Sequence, residues 1–190
     1  THEGFFISSK QYTEKINYIN RDYYLITNNI LNIKKYNNKE IILFVGYPGS
    51  GKSYIAKQIG YEIISQDILK TKQKCLKITE INMKENNNII IDNTNINKLT
   101  RLDYIKLAQK YNYYIKCIII NNSIEFCNHM NYYRVQQFNR KVIPILVYRI
   151  LKKKYEFPLL NEGFNSIIEI ENKLEQDKIN LNNYFKYYNI

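Results

Sequence analysis

One junction limits the folds open to this chain more than any other feature. The apolar run Glu40-Ile41-Ile42-Leu43-Phe44-Val45 leads straight into Gly46-Tyr47-Pro48-Gly49-Ser50-Gly51-Lys52-Ser53. A continuous apolar segment of strand length reads as buried on both faces, the habit of strands in parallel sheets. Helical spacing resumes at Lys52 and holds to about Ile59. The intervening octet fits GxxxxGK[ST] at every fixed position, between a strand and a helix as that motif requires. Its glycines let the turn curl until backbone N–H groups point inward as an anion nest, and the helix N-terminus adds positive potential. Lys52 is placed to reach the β- and γ-phosphates of a bound ATP, and the Ser53 hydroxyl to ligate Mg²⁺. Gly46, Pro48, Gly49, Ser50 and Gly51 form the rest of the phosphate cradle.

Downstream, strand and helix patterns alternate. Tyr61–Ile64 reads as a second strand, and Ile68–Lys84 as one helix. Ile89-Ile90-Ile91 is a third strand, and Leu99, Leu102, Ile105 and Leu107 mark a helix that stops near Tyr111. Tyr114–Ile120 is a fourth strand. Asn122 stands three residues before Glu125, a capping-box spacing that opens a helix running toward Arg134. Gln136–Val142 is polar and basic, and Pro144 suits the first turn of a helix ending near Lys154. Ser166–Glu169 is a last strand. The pattern predicts an α/β fold of the P-loop kinase kind: an open parallel sheet of four or five strands with helices on both faces. Residues 1–39 read as an irregular lead-in with a short helix around Gln11–Ile19, 40–171 as the domain itself, and 172–190 as a terminal helix or tail.

With 190 residues the chain is one domain, long enough to bury a core without disulfides. Lys+Arg 28 against Asp+Glu 17 gives a net charge of +11, which favours a polyanionic partner. Asn, Ile, Lys and Tyr all have AT-rich codons, so the 19 tyrosines say little about base stacking. No apolar stretch reaches the ~18 residues of a membrane span, so no membrane partner is expected. Three cysteines, Cys75, Cys117 and Cys127, without a CxxC pair point to a reducing, intracellular compartment. Thr1 begins the chain and no charged-then-apolar leader follows, which predicts a fragment or processed product that is not secreted.

Several polar residues fall where open α/β folds hold ligands, at the carboxyl ends of strands. Asp67 follows the second strand and could take the proton from an attacking hydroxyl, or equally cap the next helix. Asp92 closes the third strand in the Walker B place, where it would accept a hydrogen bond from Ser53 or a magnesium water. Asn93 and Thr94 extend that polar strand end as substrate-binding candidates. Arg134 and Arg140 lie where a small kinase covers its phosphates, and an arginine fork there would hold a transferring phosphoryl group. Lys70 and Arg101 flank the acidic positions and could bind substrate phosphates or be solvated.

Together these residues resemble the kinase domain of the eukaryotic-type polynucleotide 5′-kinase/3′-phosphatase family. The resemblance rests on the GxPGxGKS loop, on Gln66-Asp67-Ile68-Leu69 with Gln73 and Cys75, and on Ile91-Asp92-Asn93-Thr94-Asn95 followed by Arg101. His129, Asn131 and Arg134 match a His-x-Asn-x-x-Arg helix, and Ile143-Pro144, Tyr148, Tyr155, Pro158 and Glu162-Gly163-Phe164 match the closing segment. It spans about Glu40–Ile170. It implies Asp67 as general base on a 5′-hydroxyl, Arg134 as lid arginine, ATP and Mg²⁺ as cofactors, and nucleic-acid 5′-hydroxyl ends, DNA before RNA, as substrate. Strand-break repair and a nuclear location are further implications of the family. Met130 and Tyr132 depart from its pattern, which bears on lid closure and substrate preference. Thr1–Phe6 resembles the end of the family's phosphatase domain, implying such a domain upstream in a longer protein. No DxD pair occurs, so these 190 residues are expected to have no 3′-phosphatase activity. The competing readings are a small-metabolite P-loop kinase and a nucleotide-gated nucleic-acid-binding module without catalysis.

Overall fold

A computed structural model describes residues 39–138 and 141–170. The expectations for the lead-in, for Arg140 and for the 172–190 tail lie outside the described residues. Five strands, β1 (Glu40–Val45), β2 (Glu62–Ile64), β3 (Ile89–Ile91), β4 (Tyr114–Ile120) and β5 (Ser166–Ile170), form one sheet in the order β2-β3-β1-β4-β5. Every pairing is parallel, with Ile42 opposite both Ile90 and Lys116 in register. All carboxyl ends therefore share one edge, and the loops after β1, β2 and β3 meet there.

Side chains alternate across a strand, so each face of β1 feeds a different core. Ile41, Leu43 and Val45 join Ile89, Ile91, Ile115, Cys117 and Ile119 under helices α3 (Lys72–Lys84) and α4 (Lys98–Lys110). Ile42 and Phe44 face the other way, with Ile90, Ile118 and Ile120 beneath Ile55, Ala56 and Ile59 of helix α1 (Lys52–Ile59). Helices thus cover both faces, as predicted. Each fully buried isoleucine contributes about 1.5–3 kcal/mol by leaving water, so the Ile-rich central strands anchor the sheet.

Three expectations about helices are corrected. The predicted helix Ile68–Lys84 is broken into α2 (Gln66–Leu69) and α3, because Lys70 adopts φ 72° and Thr71 then caps a fresh helix by accepting from Lys74 N–H. The cap of α5 (Ile124–Phe138) is Ser123, whose hydroxyl accepts from Phe126 N–H, while Asn122 is buried one residue earlier. The last helix, α6 (Ile145–Lys153), ends near Lys154 as expected, but Pro144 is its extended N-cap and not part of its first turn.

Candidate active site

The loop after β1 is pinned before it curls. Gly46 N–H donates to the Thr94 carbonyl (3.1 Å), joining the P-loop to the turn after β3. In the first turn of α1 the Tyr54 and Ile55 N–H groups donate to the Gly51 carbonyl (3.1 and 3.2 Å). Lys52 is buried there, its ammonium donating to the carbonyls of Gly46 (3.0 Å) and Tyr47 (2.7 Å) and to Ser50 Oγ (3.4 Å). Burial pushes its pKa from 10.5 down to about 8; Asp92, Cys127 and Asp67 pull it back up, and Arg134 pushes it further down.

This shift has a measurable consequence. Below pH about 8 the folded chain carries the buried charge at a cost, and between about 8 and 10.5 the native state sheds a proton that the unfolded chain keeps. Stability from this group therefore rises with pH through that window. A polyphosphate restores the charged form, so its binding should take up a proton above pH 8, and affinity should fall by up to about tenfold per pH unit. Calorimetry at about pH 8.5 in buffers of different ionisation heat reads this uptake directly. Lys52→Arg, always charged, should show none.

Gly49 needs its missing side chain. It sits at φ +81°, and a Cβ there would lie 2.4 Å from the Cys127 carbonyl oxygen of α5. Backbone oxygen cannot swing aside, so the loop touches α5 only because residue 49 is glycine. Gly60, at φ +80° with nothing within 4 Å of its Cβ position, is a matched control. Gly60→Ala should cost about 1–2 kcal/mol for the left-handed backbone alone. Gly49→Ala should cost more in urea unfolding and weaken nucleotide binding as well. Tyr148, fully buried on α6, fastens the same junction: its hydroxyl faces the carbonyls of Pro48 (3.1 Å) and Cys127 (3.3 Å).

Around this loop lies a cleft of about 930 Å³, lined by Pro48, Gly49, Gly51, Lys52, Ser53, Asp67, Lys70, Asp92, Asn93, Thr94 and Arg134. The structure thus brings together most of the predicted site residues from four separate segments. Ser53 Oγ donates to Asp92 Oδ2 (2.5 Å), the pairing expected of a Walker B acid. Asp67 is exposed on α2, where Ser65 is the N-cap, accepting from Asp67 N–H (3.3 Å). The capping alternative for the Asp67 side chain is thereby removed, and among the described residues its carboxylate takes no hydrogen bond. Lys70 Nζ donates to the Asp67 carbonyl (2.6 Å). Asn93 Oδ1 accepts from Gln66 N–H (2.7 Å), so the turn after β3 also sets the start of the helix that carries Asp67.

Arg101 is where expectation and structure part. Instead of flanking the cleft it is wholly buried, with Nε and Nη2 donating to both oxygens of Glu162 (2.8 and 2.7 Å). Nη1 donates to the carbonyls of Asn95 (3.1 Å) and Glu156 (2.9 Å). With its donors spent inside the core, it is in no position to meet a substrate phosphate. The cysteines are free and buried, and burial raises the Cys127 thiol to about 12.

Lys57 and Tyr54 also line the cleft and were not singled out from sequence. The signal for Lys57 was available: it stands four residues after Ser53, hence on the same face of α1. Asn131 was matched by motif alone. It is buried and clasps Ile143 through both backbone groups (2.9 and 3.1 Å), holding the segment before α6 against α5.

The P-loop and the parallel order of the sheet agree with comparisons to known proteins. A family model described as an AAA domain matches residues 41–158. The chain belongs to this family. This AAA-domain chain is 34% identical over 192 residues to the bifunctional polynucleotide phosphatase/kinase of Schizosaccharomyces pombe, a match covering 97% of this chain and 47% of that protein. It is 36% identical over 136 residues to the putative bifunctional polynucleotide phosphatase/kinase of Acanthamoeba polyphaga mimivirus, covering 68% and 32%. The chain therefore spans at most about half the length of these relatives. The resemblance drawn from its motifs is borne out. Among solved structures, the AAA-domain fold is similar to that of a putative kinase from Chloroflexus aurantiacus (TM-score 0.57, 12% identity, 80% of this chain and 95% of that one). It is also similar to Chaetomium thermophilum Kti12 in complex with ADP-AlF3 (TM-score 0.54, 14% identity, 78% and 95%). Among the described residues, no helix is long and apolar enough to cross a membrane.

Proposed function

We propose that the chain is an ATP-dependent kinase acting on 5′-hydroxyl ends of polynucleotides, DNA before RNA. The observation that carries this reading is that one cleft collects Lys52, the Ser53–Asp92 pair, Asp67 and Arg134. The names of the curated relatives supply the acceptor class.

In this reading Asp67 accepts the proton of the terminal hydroxyl as its oxygen bonds to the γ-phosphorus and the bond to the β–γ bridging oxygen breaks, leaving ADP. Lys52 and Arg134 hold the charge spread over the phosphoryl oxygens, so positioning and electrostatics carry the rate. A hydroxyl and a carboxylate make a hard-oxygen donor set. Among the described residues no group of three or more His, Cys, Asp or Glu builds a full metal cage. That fits Mg²⁺, which is commonly held by one or two carboxylates together with substrate phosphates. Ser53 and Asp92 are the residues that would hold it, and when bound it would neutralise charge on the β- and γ-oxygens.

Lys57 and Lys70 add positive charge to the cleft wall, and the whole chain carries +11. A polynucleotide acceptor that neutralises several lysines should bind with a steep fall in affinity as salt rises, about 0.7–0.9 in log–log slope per phosphate contact. The test is incubation with labelled ATP and a 5′-hydroxyl oligonucleotide, with salt varied. Label transfer that weakens steeply with salt is the expected result. Transfer to small alcohols with a flat salt response would favour a metabolite kinase, and salt-dependent binding without transfer would leave only a binding module. An upstream phosphatase domain and a role in strand-break repair belong to the same proposal.

A further inference from the structure

Arg101 is buried at the far end of a chain of contacts that terminates in the cleft. Its guanidinium is fixed by two parallel bonds to Glu162, which lies in a short 3-10 turn, Leu160–Glu162, beyond α6. Such a planar fork holds its orientation in a way an ammonium cannot. The remaining nitrogen donates to the Asn95 carbonyl, and Asn95 stands at φ 45°, a left-handed turn conformation that asparagine tolerates better than most L-residues. The Asn95 side chain then donates to the Phe44 carbonyl (2.8 Å) at the end of β1. The turn Asp92–Asn95 is thus held from both sides.

That turn does two jobs at once. Its first residue receives the Ser53 hydroxyl, and its second receives Gln66 N–H at the start of the helix bearing Asp67. Its third, Thr94, accepts from Gly46 N–H of the P-loop. One rigid element therefore sets the distance between the phosphate side of the cleft and the acceptor side.

We propose that Arg101 is a positioning residue for phosphoryl transfer: clamped by Glu162, it fixes the Asp92–Asn95 turn and through it the placement of Asp67 relative to Ser53 and Lys52. The proposal deepens the kinase reading above and rests on it for its catalytic readout only. The Lys52 ammonium draws its hydrogen bonds from the loop itself, while Gly46 and Ser53 are tied to the turn, so nucleotide binding should respond to the turn, but less than transfer does.

The test uses the full chain carrying Arg101→Lys, with Glu162→Gln as a second, milder variant that keeps shape and loses charge. Assays run well below each variant's melting temperature. A misplacement of about 1 Å costs on the order of 100-fold in rate, so kcat for transfer to a 5′-hydroxyl oligonucleotide should fall by that order in Arg101→Lys, and less in Glu162→Gln. The KM for ATP should change by less than about threefold; because loss of folded protein would also lower the apparent kcat at constant KM, kcat is referred to the folded fraction measured by circular dichroism in the same samples. Amide hydrogen exchange gives a readout independent of any acceptor. Exchange at residues 66–69 and 92–95 should quicken selectively, with residues 52–59 unchanged. Unchanged kcat with uniform quickening everywhere would overturn the proposal and leave Arg101 a general stabiliser. If the wild-type chain transfers nothing to any acceptor, the kinase reading fails by itself. The exchange pattern then still decides whether Arg101 holds the Asp67 helix.

Discussion

Asp67→Asn should lower phosphoryl transfer by about 10²- to 10⁴-fold, the range general-base catalysis contributes, while ATP binds as in the parent. The two halves of that outcome come from different parts of the cleft. In the proposed function the triphosphate is held by the loop after β1, whose contacts, Gly46 to Thr94 and Lys52 to the Gly46 and Tyr47 carbonyls, do not include the Asp67 side chain. The short helix carrying Asp67 is fixed by backbone and neighbouring groups: Ser65 caps it, Asn93 receives Gln66 N–H, and Lys70 bonds the Asp67 carbonyl. An amide of the same shape leaves all of these in place and removes only the capacity to take a proton. Labelled-phosphate transfer under single turnover and titration with a fluorescent ATP analogue separate the effects. Parent-level transfer by the variant would exclude Asp67 as the base.

Arg134→Ala should cost about 10³-fold in kcat, the lower end of what an arginine on a transferring phosphoryl group supplies, with a smaller rise in the KM for ATP. Arg134 lies on α5, which is held against the P-loop where the Cys127 carbonyl meets Gly49 and where Tyr148 bridges Cys127 and Pro48. Its charge is already felt at the loop, since it helps push the Lys52 pKa down. Arg134→Lys should recover little, because an ammonium lacks the planar fork. An independent sign check is available. Removing a positive neighbour raises the Lys52 pKa in the free protein, so the proton taken up on nucleotide binding near pH 8.5 should shrink in Arg134→Ala. A kcat within a few-fold of the parent, with proton uptake unaltered, would place Arg134 outside the reacting centre.

What the sequence disclosed is what periodicity and local chemistry encode. β1, the P-loop and α1 are contiguous, and their glycines, lysine and serine act within a few residues of one another. The third strand and its Asp92 were visible because three isoleucines end at an acid. The break between α2 and α3 was hidden because the left-handed residue is Lys70, not glycine, and nothing about a lysine announces φ 72°. Arg101 was misjudged for a different reason. It sits in a helix with a broken apolar stripe, and the carboxylate that draws it inward, Glu162, lies 61 residues away. The role of Tyr148 was likewise hidden, since its hydroxyl partners belong to a loop 100 residues earlier and a helix 21 residues earlier. The residues that do the proposed chemistry were legible; those that hold them in place were settled by tertiary partners.

The most direct measurement is a structure of the chain with a non-hydrolysable ATP analogue and a 5′-hydroxyl oligonucleotide. The account predicts the terminal oxygen within roughly 2.6–3.2 Å of the Asp67 carboxylate, facing the γ-phosphorus, with Lys52 and Arg134 on the phosphoryl oxygens. An oligonucleotide end seated away from Asp67, or a triphosphate bound outside the Gly46–Ser53 loop, would contradict it.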